Sequence, residues 1–175
     1  VVTSGYGIMT KKIDADACYT MKGEVENLKY IHKILEDKQE RLWIILENGK
    51  LLRKEKNGKL VSRIMGTEQL NTQDIRQDDK GNIYLATKND GVYLLKAGST
   101  IFTKIAGIGN LPIDNIYISR DQRLFIGCDG MGIFVYNPVT GFLQNNPLFC
   151  HEVNIAKSKI TSIIEDFTGN IWVSM

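Results

Sequence analysis

Four aromatic residues recur at nearly constant spacing, and this repeat constrains the fold more than any other feature of the sequence. Trp43, Tyr84, Phe125 and Trp172 are separated by 41 (43 to 84), 41 (84 to 125) and 47 residues (125 to 172). A fixed period of this length is typical of a chain built from one repeated unit, in which neighbouring copies complete each other's core. The architecture is therefore expected to be a repeat array.

The residues around each aromatic anchor repeat as well. An isoleucine stands nine positions before every anchor, an aliphatic residue stands on each side of it, and a polar turn precedes it. Gly81 and Gly169 occupy the same turn position in two copies, where the other two have Glu40 and Gln122. The isoleucines are Ile34, Ile75, Ile116 and Ile163, and the turns are residues 37–41, 78–82, 119–123 and 166–170.

Each copy is expected to contain four short antiparallel strands, because its apolar runs are rich in β-branched and aromatic residues and end at turn residues. In one copy the turn at 78–82 joins a strand at 72–77 to a second at 83–87. The third strands are expected at 49–52, 91–95 and 132–136, and weaker fourth strands near 60–61, 101–103 and 142–143. The anchor aromatics are expected to pack in the core between adjacent blades.

Four strands in about 41 residues, repeated without helices, predict an all-β fold made of β-propeller blades. A β-sandwich is the alternative, but it would not explain the common register. We expect about four blades: a partial blade at 1–28, blades at 29–70, 71–111 and 112–158, and a partial blade at 159–175. Both chain ends fall inside a second strand, so we expect one segment of a larger propeller of the seven-bladed type.

Composition excludes several classes of function. The net charge of +2 comes from 22 basic and 20 acidic residues without a long run of one sign, so nucleic acid is not an expected partner. No apolar stretch is long enough to span a membrane, and residues 1–10 lack the pattern of a signal peptide. The widely spaced Cys18, Cys128 and Cys150 indicate buried thiols, with one disulfide and a leftover thiol as the alternative.

No motif for a cofactor, a metal ion or a catalytic group is predicted. Gly107-Ile108-Gly109 lacks the third glycine of a dinucleotide site. The segment from Asp14 begins like a calcium loop, but Tyr19 stands where that loop requires glycine. His32 lies in an apparent inner strand, where we expect it to be packed or to face the channel, and His151 has no helical phosphoacceptor context.

The segment at 160–173, ITSIIEDFTGNIWV, resembles the two-component regulator propeller repeat: an apolar strand, an acidic pair, a Gly-Asn turn, an aliphatic residue and Trp172. The copy that contains residues 78–87 is similar, with Tyr84 in place of tryptophan. The resemblance implies the periplasmic sensor of a hybrid histidine kinase, as in Bacteroides-like gut bacteria, that responds to saccharides. The parent receptor would be a homodimer anchored in the membrane outside this segment.

Candidate ligand-binding residues lie in the loops between second and third strands and in the loops leading into first strands, because loops carry recognition while strands carry packing. These residues could hydrogen-bond or stack on a small polar ligand such as an oligosaccharide. Ordinary turn chemistry is the alternative explanation for Asn and Asp at such positions. A second hypothesis is a scaffold for protein partners, or part of a propeller lyase or hydrolase with catalytic residues elsewhere. The candidates are Tyr6, Asn89, Asp90, Asn110, Asp129 and Met131.

Overall fold

The computed structural model describes residues 2–3, 7–10, 19–20, 28–145 and 159–175. Within these residues the chain is all β, apart from one turn of 3-10 helix at Ala106–Ile108. It forms two compact units, Val1–Leu70 (unit 1) and Asn71–Met175 (unit 2).

Unit 1 contains two antiparallel sheets. Ile8 on the first sheet packs against Ile31, Ile44 and Leu52 of the second to form an apolar core. The first sheet consists of β1 (Val2–Thr3), β2 (Gly7–Thr10) and β3 (Tyr19–Thr20). The second consists of β4 (Ile31–Glu36), β5 (Leu42–Leu46), β6 (Leu51–Lys54) and β7 (Leu60–Val61), paired in chain order.

Unit 2 contains two four-stranded sheets and a two-stranded one, all antiparallel and each paired in chain order. The first is β8 (Thr72–Gln77), β9 (Ile83–Thr87), β10 (Val92–Leu95) and β11 (Thr103–Lys104). The second is β12 (Ile113–Ile118), β13 (Leu124–Cys128), β14 (Gly132–Asn137) and β15 (Phe142–Asn145), and the third is β16 (Ser162–Glu165) with β17 (Ile171–Ser174).

Neighbouring sheets of unit 2 contact each other through their first strands. Asp74 on β8 accepts a hydrogen bond from the backbone N–H of Ile116 on β12, at 3.1 Å. Asn115 on β12 donates from Nδ2 to the carbonyl oxygen of Ile160, which precedes β16, at 2.5 Å. The first strand of each sheet is therefore the inner strand, and the sheets follow one another as propeller blades do. The expected all-β blade architecture is confirmed.

Several strand boundaries differ from the prediction by one or two residues, and local hydrogen bonds explain two of the differences. The fourth strand expected at 101–103 begins at Thr103, because the Ser99 hydroxyl and the backbone of Ile101 hydrogen-bond to each other in a local turn. The third strand expected at 49–52 begins at Leu51, because Gly49 donates to the carbonyl of Leu46 and belongs to the turn. Local hydrogen bonds compete with the strand ladder in both places.

Three of the four anchor aromatics are buried as expected: Trp43, Tyr84 and Phe125 are each at most 3% exposed. The prediction is wrong for Trp172, which is 60% exposed. Its strand β17 belongs to a sheet that has only two strands among the described residues. Trp43, in contrast, has the guanidinium of Arg53 from the third strand 5.2 Å from its ring centre.

The turn before each anchor adopts the same backbone conformation in all four copies. Gly81 and Gly169 have φ of 84° and 90°, and Glu40 and Gln122 have φ of 59° and 64°. A left-handed conformation costs a residue with a side chain about 1–2 kcal/mol relative to glycine. Two of the four copies therefore keep the turn geometry at a cost in strain.

We expect Glu40→Gly to raise the free energy of unfolding by about 0.5–1 kcal/mol, because relief of strain exceeds the entropy that glycine adds to the unfolded chain. The only described partner of the Glu40 side chain is the exposed Lys56, and such surface ion pairs contribute little. Gln122→Gly is the matched variant. Urea denaturation should show a smaller rise in its free energy of unfolding than in that of Glu40→Gly, because the substitution also removes the two hydrogen bonds between the Gln122 side chain and Asp79.

Candidate functional site

The predicted ligand loops meet at one end of the blades. In unit 2, Lys88 N–H donates to Asn71 O at 2.8 Å, and Asp129 N–H donates to Pro112 O at 3.2 Å. Each bond joins the loop after a second strand to the residues that lead into the first strand of the same sheet. We call this end of unit 2, formed by residues 88–91, 109–112 and 129–131 together with Asp114 and Lys159, the rim.

Asp90 and Asn110 are brought together on the rim by a residue that the sequence interpretation missed. Lys104 Nζ contacts Asp90 Oδ1 and donates to Asn110 Oδ1 at 2.5 Å, while the Tyr93 hydroxyl donates to Asp90 Oδ2 at 2.5 Å. The hydrogen bonds from Lys104 and then Tyr93 hold the pKa of Asp90 below its ordinary value. Burial, followed by the bond to Asp90, raises the pKa of Tyr93 to about 12.

The loops that carry Asp90 and Asn110 touch through their backbones. Gly91 has a φ of 75°, and a Cβ built on it would lie 2.0 Å from the carbonyl oxygen of Gly109. Only glycine permits both this conformation and this approach. Gly91 therefore sets how closely the two loops of the rim approach each other.

Asp114 is the residue that β12 contributes to the rim, and it was not among the predicted residues. Its Oδ2 atom is buried and accepts no hydrogen bond from any described residue. The pKa of Asp114 is raised, mainly by burial and to a smaller extent by the negative charge of Asp129. The positive charges of Lys159 and Lys88 act in the opposite direction and lower it. Charged groups from three consecutive sheets therefore act on one carboxyl group.

Asp114 sits in a β-bulge, and the same bulge recurs in all three four-stranded sheets among the described residues. The pairing of first and second strands skips one residue between Ile31 and Lys33, between Thr72 and Asp74, and between Ile113 and Asn115. Bulges redirect a side chain out of the regular ladder and are frequent beside functional sites. The skipped residues are His32, Gln73 and Asp114, all polar.

His32 is exposed, because the bulge takes it out of the strand pairing. Of the two expected alternatives, exposure excludes a packed histidine and is compatible with one that faces the channel. The recurring polar residue eleven positions before each anchor was the sequence signal that could have located these bulges. It is inconspicuous because strands alternate polar and apolar residues anyway.

The remaining predicted residues are distributed as follows. Asn89, Asp129 and Met131 are exposed in the loops of the rim. Tyr6 lies outside the described residues, as do Cys18, Cys150, His151 and the calcium-like segment from Asp14 apart from Tyr19–Thr20, which form β3. No group of three or more His, Cys, Asp or Glu residues in the described ranges is arranged to hold a metal ion. In the same ranges no helix has the length and apolarity needed to cross a bilayer.

Unit 1 has a groove at the equivalent loops, with a volume of about 200 Å³. Polar side chains supply most of its lining, including Asn48 and Lys50 from the loop after β5. The other side comes from residues 62–70, which contain Thr67 and Glu68. In this unit, too, the loop between the second and third strands and the segment after the fourth strand border a polar groove.

Cys128 ends β13 next to the rim, fully buried and free, as the first of the two cysteine alternatives predicts for it. Burial, with a smaller contribution from the charge of Asp114, raises the pKa of its thiol to about 12. Because only the thiolate reacts, this cysteine should be inert in the folded chain.

In a Cys18→Ser/Cys150→Ser variant, we expect Cys128 to react with a disulfide reagent at pH 8 at least about a hundredfold more slowly in buffer than in urea, because reaction requires opening of the fold. The release of thionitrobenzoate measures the rate. Equal rates in buffer and urea would show that the thiol is accessible in the native state.

No protein-family model matches the sequence, and comparison with curated proteins found no match. Solved structures do match. A structure of PorZ, a surface component of the type-IX secretion system of Porphyromonas gingivalis, superposes with a TM-score of 0.73 at 10% identity, covering 97% of this chain and 28% of that one. The extracellular domain of the hybrid two-component system BT3049 of B. thetaiotaomicron gives 0.71 at 20% identity, covering 99% and 24%.

The chain folds as a β-propeller segment. The expected resemblance to the extracellular propellers of Bacteroides two-component systems is confirmed at the level of fold. This segment spans about a quarter of the length of those solved chains. Virginiamycin B lyase from Staphylococcus aureus also matches, with a TM-score of 0.67 at 13% identity, covering 97% of this chain and 56% of the lyase. The fold is thus shared by sensor domains and by an enzyme.

Proposed function

We propose that this chain is a ligand-binding segment of the extracytoplasmic sensor of a two-component receptor, and that its ligand is a saccharide bound at the rim. The observation that carries the proposal is the buried Asp114 oxygen that accepts no hydrogen bond from a described residue. A buried acceptor without a partner costs free energy, and a ligand hydroxyl that donates to it removes that cost on binding.

The chemistry of the rim favours a polyhydroxylated ligand. Carboxylates accept hydrogen bonds from pairs of hydroxyl groups, and ammonium groups donate to ring and glycosidic oxygens. Asp114 and Asp129 supply the first kind of group, Lys88 and Lys159 the second, and the exposed Met131 offers an apolar surface for a sugar ring. Positive and negative groups nearly balance there, which fits a neutral ligand better than a strongly charged one.

The receptor context is supported by the sequence resemblance and by the fold shared with extracellular sensor domains. On this proposal the segment is periplasmic and non-enzymatic, and the parent is a membrane-anchored homodimer whose signalling states differ in ligand affinity. The balanced charge of the chain argues against a nucleic-acid ligand.

A thermal-shift screen of the 175-residue chain and of the parent ectodomain against oligosaccharides tests the proposal, since a ligand of the native state raises the melting temperature. We expect one class of saccharide to do so, and Asp129→Asn/Met131→Ala to abolish the shift. Val139→Ala is the matched control, because Val139 is an exposed apolar residue at the opposite end of the blades.

Two results would reject the proposal. One is the absence of any saccharide shift together with co-purification of a protein partner, which would favour the scaffold hypothesis. The other is turnover of a bound compound by the complete parent protein, which would favour a propeller lyase or hydrolase.

A further inference from the structure

A cleft between the two four-stranded sheets of unit 2 lies at the end of the blades opposite the rim. Its volume is about 380 Å³, within the range of small-molecule sites. Four turns surround its mouth: β8–β9, β10–β11, β12–β13 and β14–β15. The lining residues are Asp78, Lys80, Asn82, Tyr84, Leu94, Lys96, Ile105, Gln122, Tyr136, Pro138 and Val139.

The walls of the cleft are mainly apolar. Leu94 and Ile105 line one blade, and Pro138 and Val139 line the other. Val139 is 84% exposed, so its side chain is accessible to a ligand at the mouth. The walls therefore suit a ligand with one apolar or aromatic ring.

Most polar groups at the mouth are already engaged within the protein. Asp78 accepts hydrogen bonds from the backbone and side-chain N–H groups of Asn82 and from the Tyr84 hydroxyl. The Asn82 side-chain oxygen accepts the N–H of Ala97, and the Gln122 side chain bonds Asp79 at both its oxygen and its nitrogen. These side chains have little hydrogen-bonding capacity left for a ligand.

Three donors are left. The ammonium groups of Lys80 and Lys96 make no ion pair or hydrogen bond with any described residue. The Tyr136 side chain is nine-tenths buried, and its hydroxyl likewise makes no hydrogen bond in the described part of the chain. The hydroxyl lines the cleft and can donate a hydrogen bond to a ligand there.

We propose that this cleft binds a small carboxylate that carries one apolar ring. The ring would lie against Leu94, Ile105 and Val139, and the carboxylate would accept hydrogen bonds from the Tyr136 hydroxyl and the Lys96 ammonium group. Charge complementarity favours an anion, because the two ammonium groups at the mouth are unpaired, whereas the carboxylates of Asp78 and Asp79 already accept hydrogen bonds within the protein. The site is independent of the saccharide proposed for the rim.

Phenylacetate is the probe, titrated into the isotopically labelled 175-residue chain and followed by amide chemical shifts. We expect saturable shifts at Lys96, Gln122 and Val139, and none at rim residues such as Asp129. Phenylacetamide, which keeps the ring and loses the charge, and acetate, which keeps the charge and loses the ring, should each bind at least about tenfold more weakly.

Tyr136→Phe removes only the hydroxyl and should weaken phenylacetate binding about three- to tenfold, without changing the affinity for phenylacetamide in the same ratio. Lys96→Gln, an exposed substitution that leaves the core intact, should weaken it about three- to fivefold. Lys88→Gln, at the rim, is the matched control and should have no effect. Absence of saturable shifts, or equal binding of acid and amide, or an unchanged affinity in Lys96→Gln, overturns the proposal.

Discussion

Replacing Gly91 by alanine is expected to lower the free energy of unfolding by about 3–5 kcal/mol. Two costs add at this position. The left-handed backbone, with φ of 75°, penalises any side chain, and the new Cβ would lie 2.0 Å from the Gly109 carbonyl oxygen. That oxygen belongs to the backbone, so relief requires movement of a whole loop rather than of a flexible side chain.

Gly98→Ala separates the two costs. Gly98 has a φ of 80°, but a Cβ there meets no atom within 4 Å. Gly98→Ala should therefore lower the free energy of unfolding only by the cost of the left-handed backbone, about 1 kcal/mol. Urea denaturation of both variants, followed by fluorescence and circular dichroism, gives the comparison. Similar losses in the two variants would show that the rim loops move apart easily, and that Gly91 does not fix their distance.

Asp37→Ala is expected to lower the free energy of unfolding by about 2–4 kcal/mol, because it removes a buried acceptor from several donors at once. Asp37 Oδ1 accepts the backbone N–H groups of Gln39 and Arg41, at 2.9 and 3.0 Å. Its Oδ2 accepts the Trp43 indole N–H at 2.7 Å and Arg41 Nε at 2.6 Å. Burial works to raise the pKa of Asp37, but the bonds from Trp43 and Arg41 outweigh it and the pKa is lowered.

Asp166→Ala is the matched control inside the same chain. Asp166 holds the same place in its repeat, and its Oδ2 accepts the Trp172 indole N–H at 2.8 Å. Trp172 is exposed, so water can replace the lost acceptor. We expect a loss well below that of Asp37→Ala in the same urea titration. Comparable losses in the two variants would mean that the turn itself, and not the burial of the indole, accounts for the effect.

The strand pattern of unit 2 was largely predictable because local and global signals agree there. The strands at Thr72–Gln77 and Ile83–Thr87 match the predicted bounds, since alternating residues and the Gly81 turn specify the same hairpin. The left-handed turns at Glu40 and Gln122 were less evident, because the residues themselves disfavour that conformation.

The candidate site was predicted less completely. The loops were located by chain order alone, because antiparallel pairing brings alternate loops to the same end of a sheet. The contact of Lys104 with Asp90 and Asn110 depends on where a weak fourth strand begins, and one-residue register changes reverse the direction of its side chains. The exposure of Trp172 depends on what lies beside its strand, and its own repeat sequence does not encode that.

The bulges at His32, Gln73 and Asp114 bear on how such a protein can evolve. A side chain that lies outside the ladder is not required for strand pairing, so exchange at this position perturbs stability less than exchange at the buried anchors eleven residues later. The three bulged residues already differ in charge and size, while the anchors stay aromatic. Selection can therefore change the side chain at this position in one blade while the fold and its neighbours are inherited unchanged.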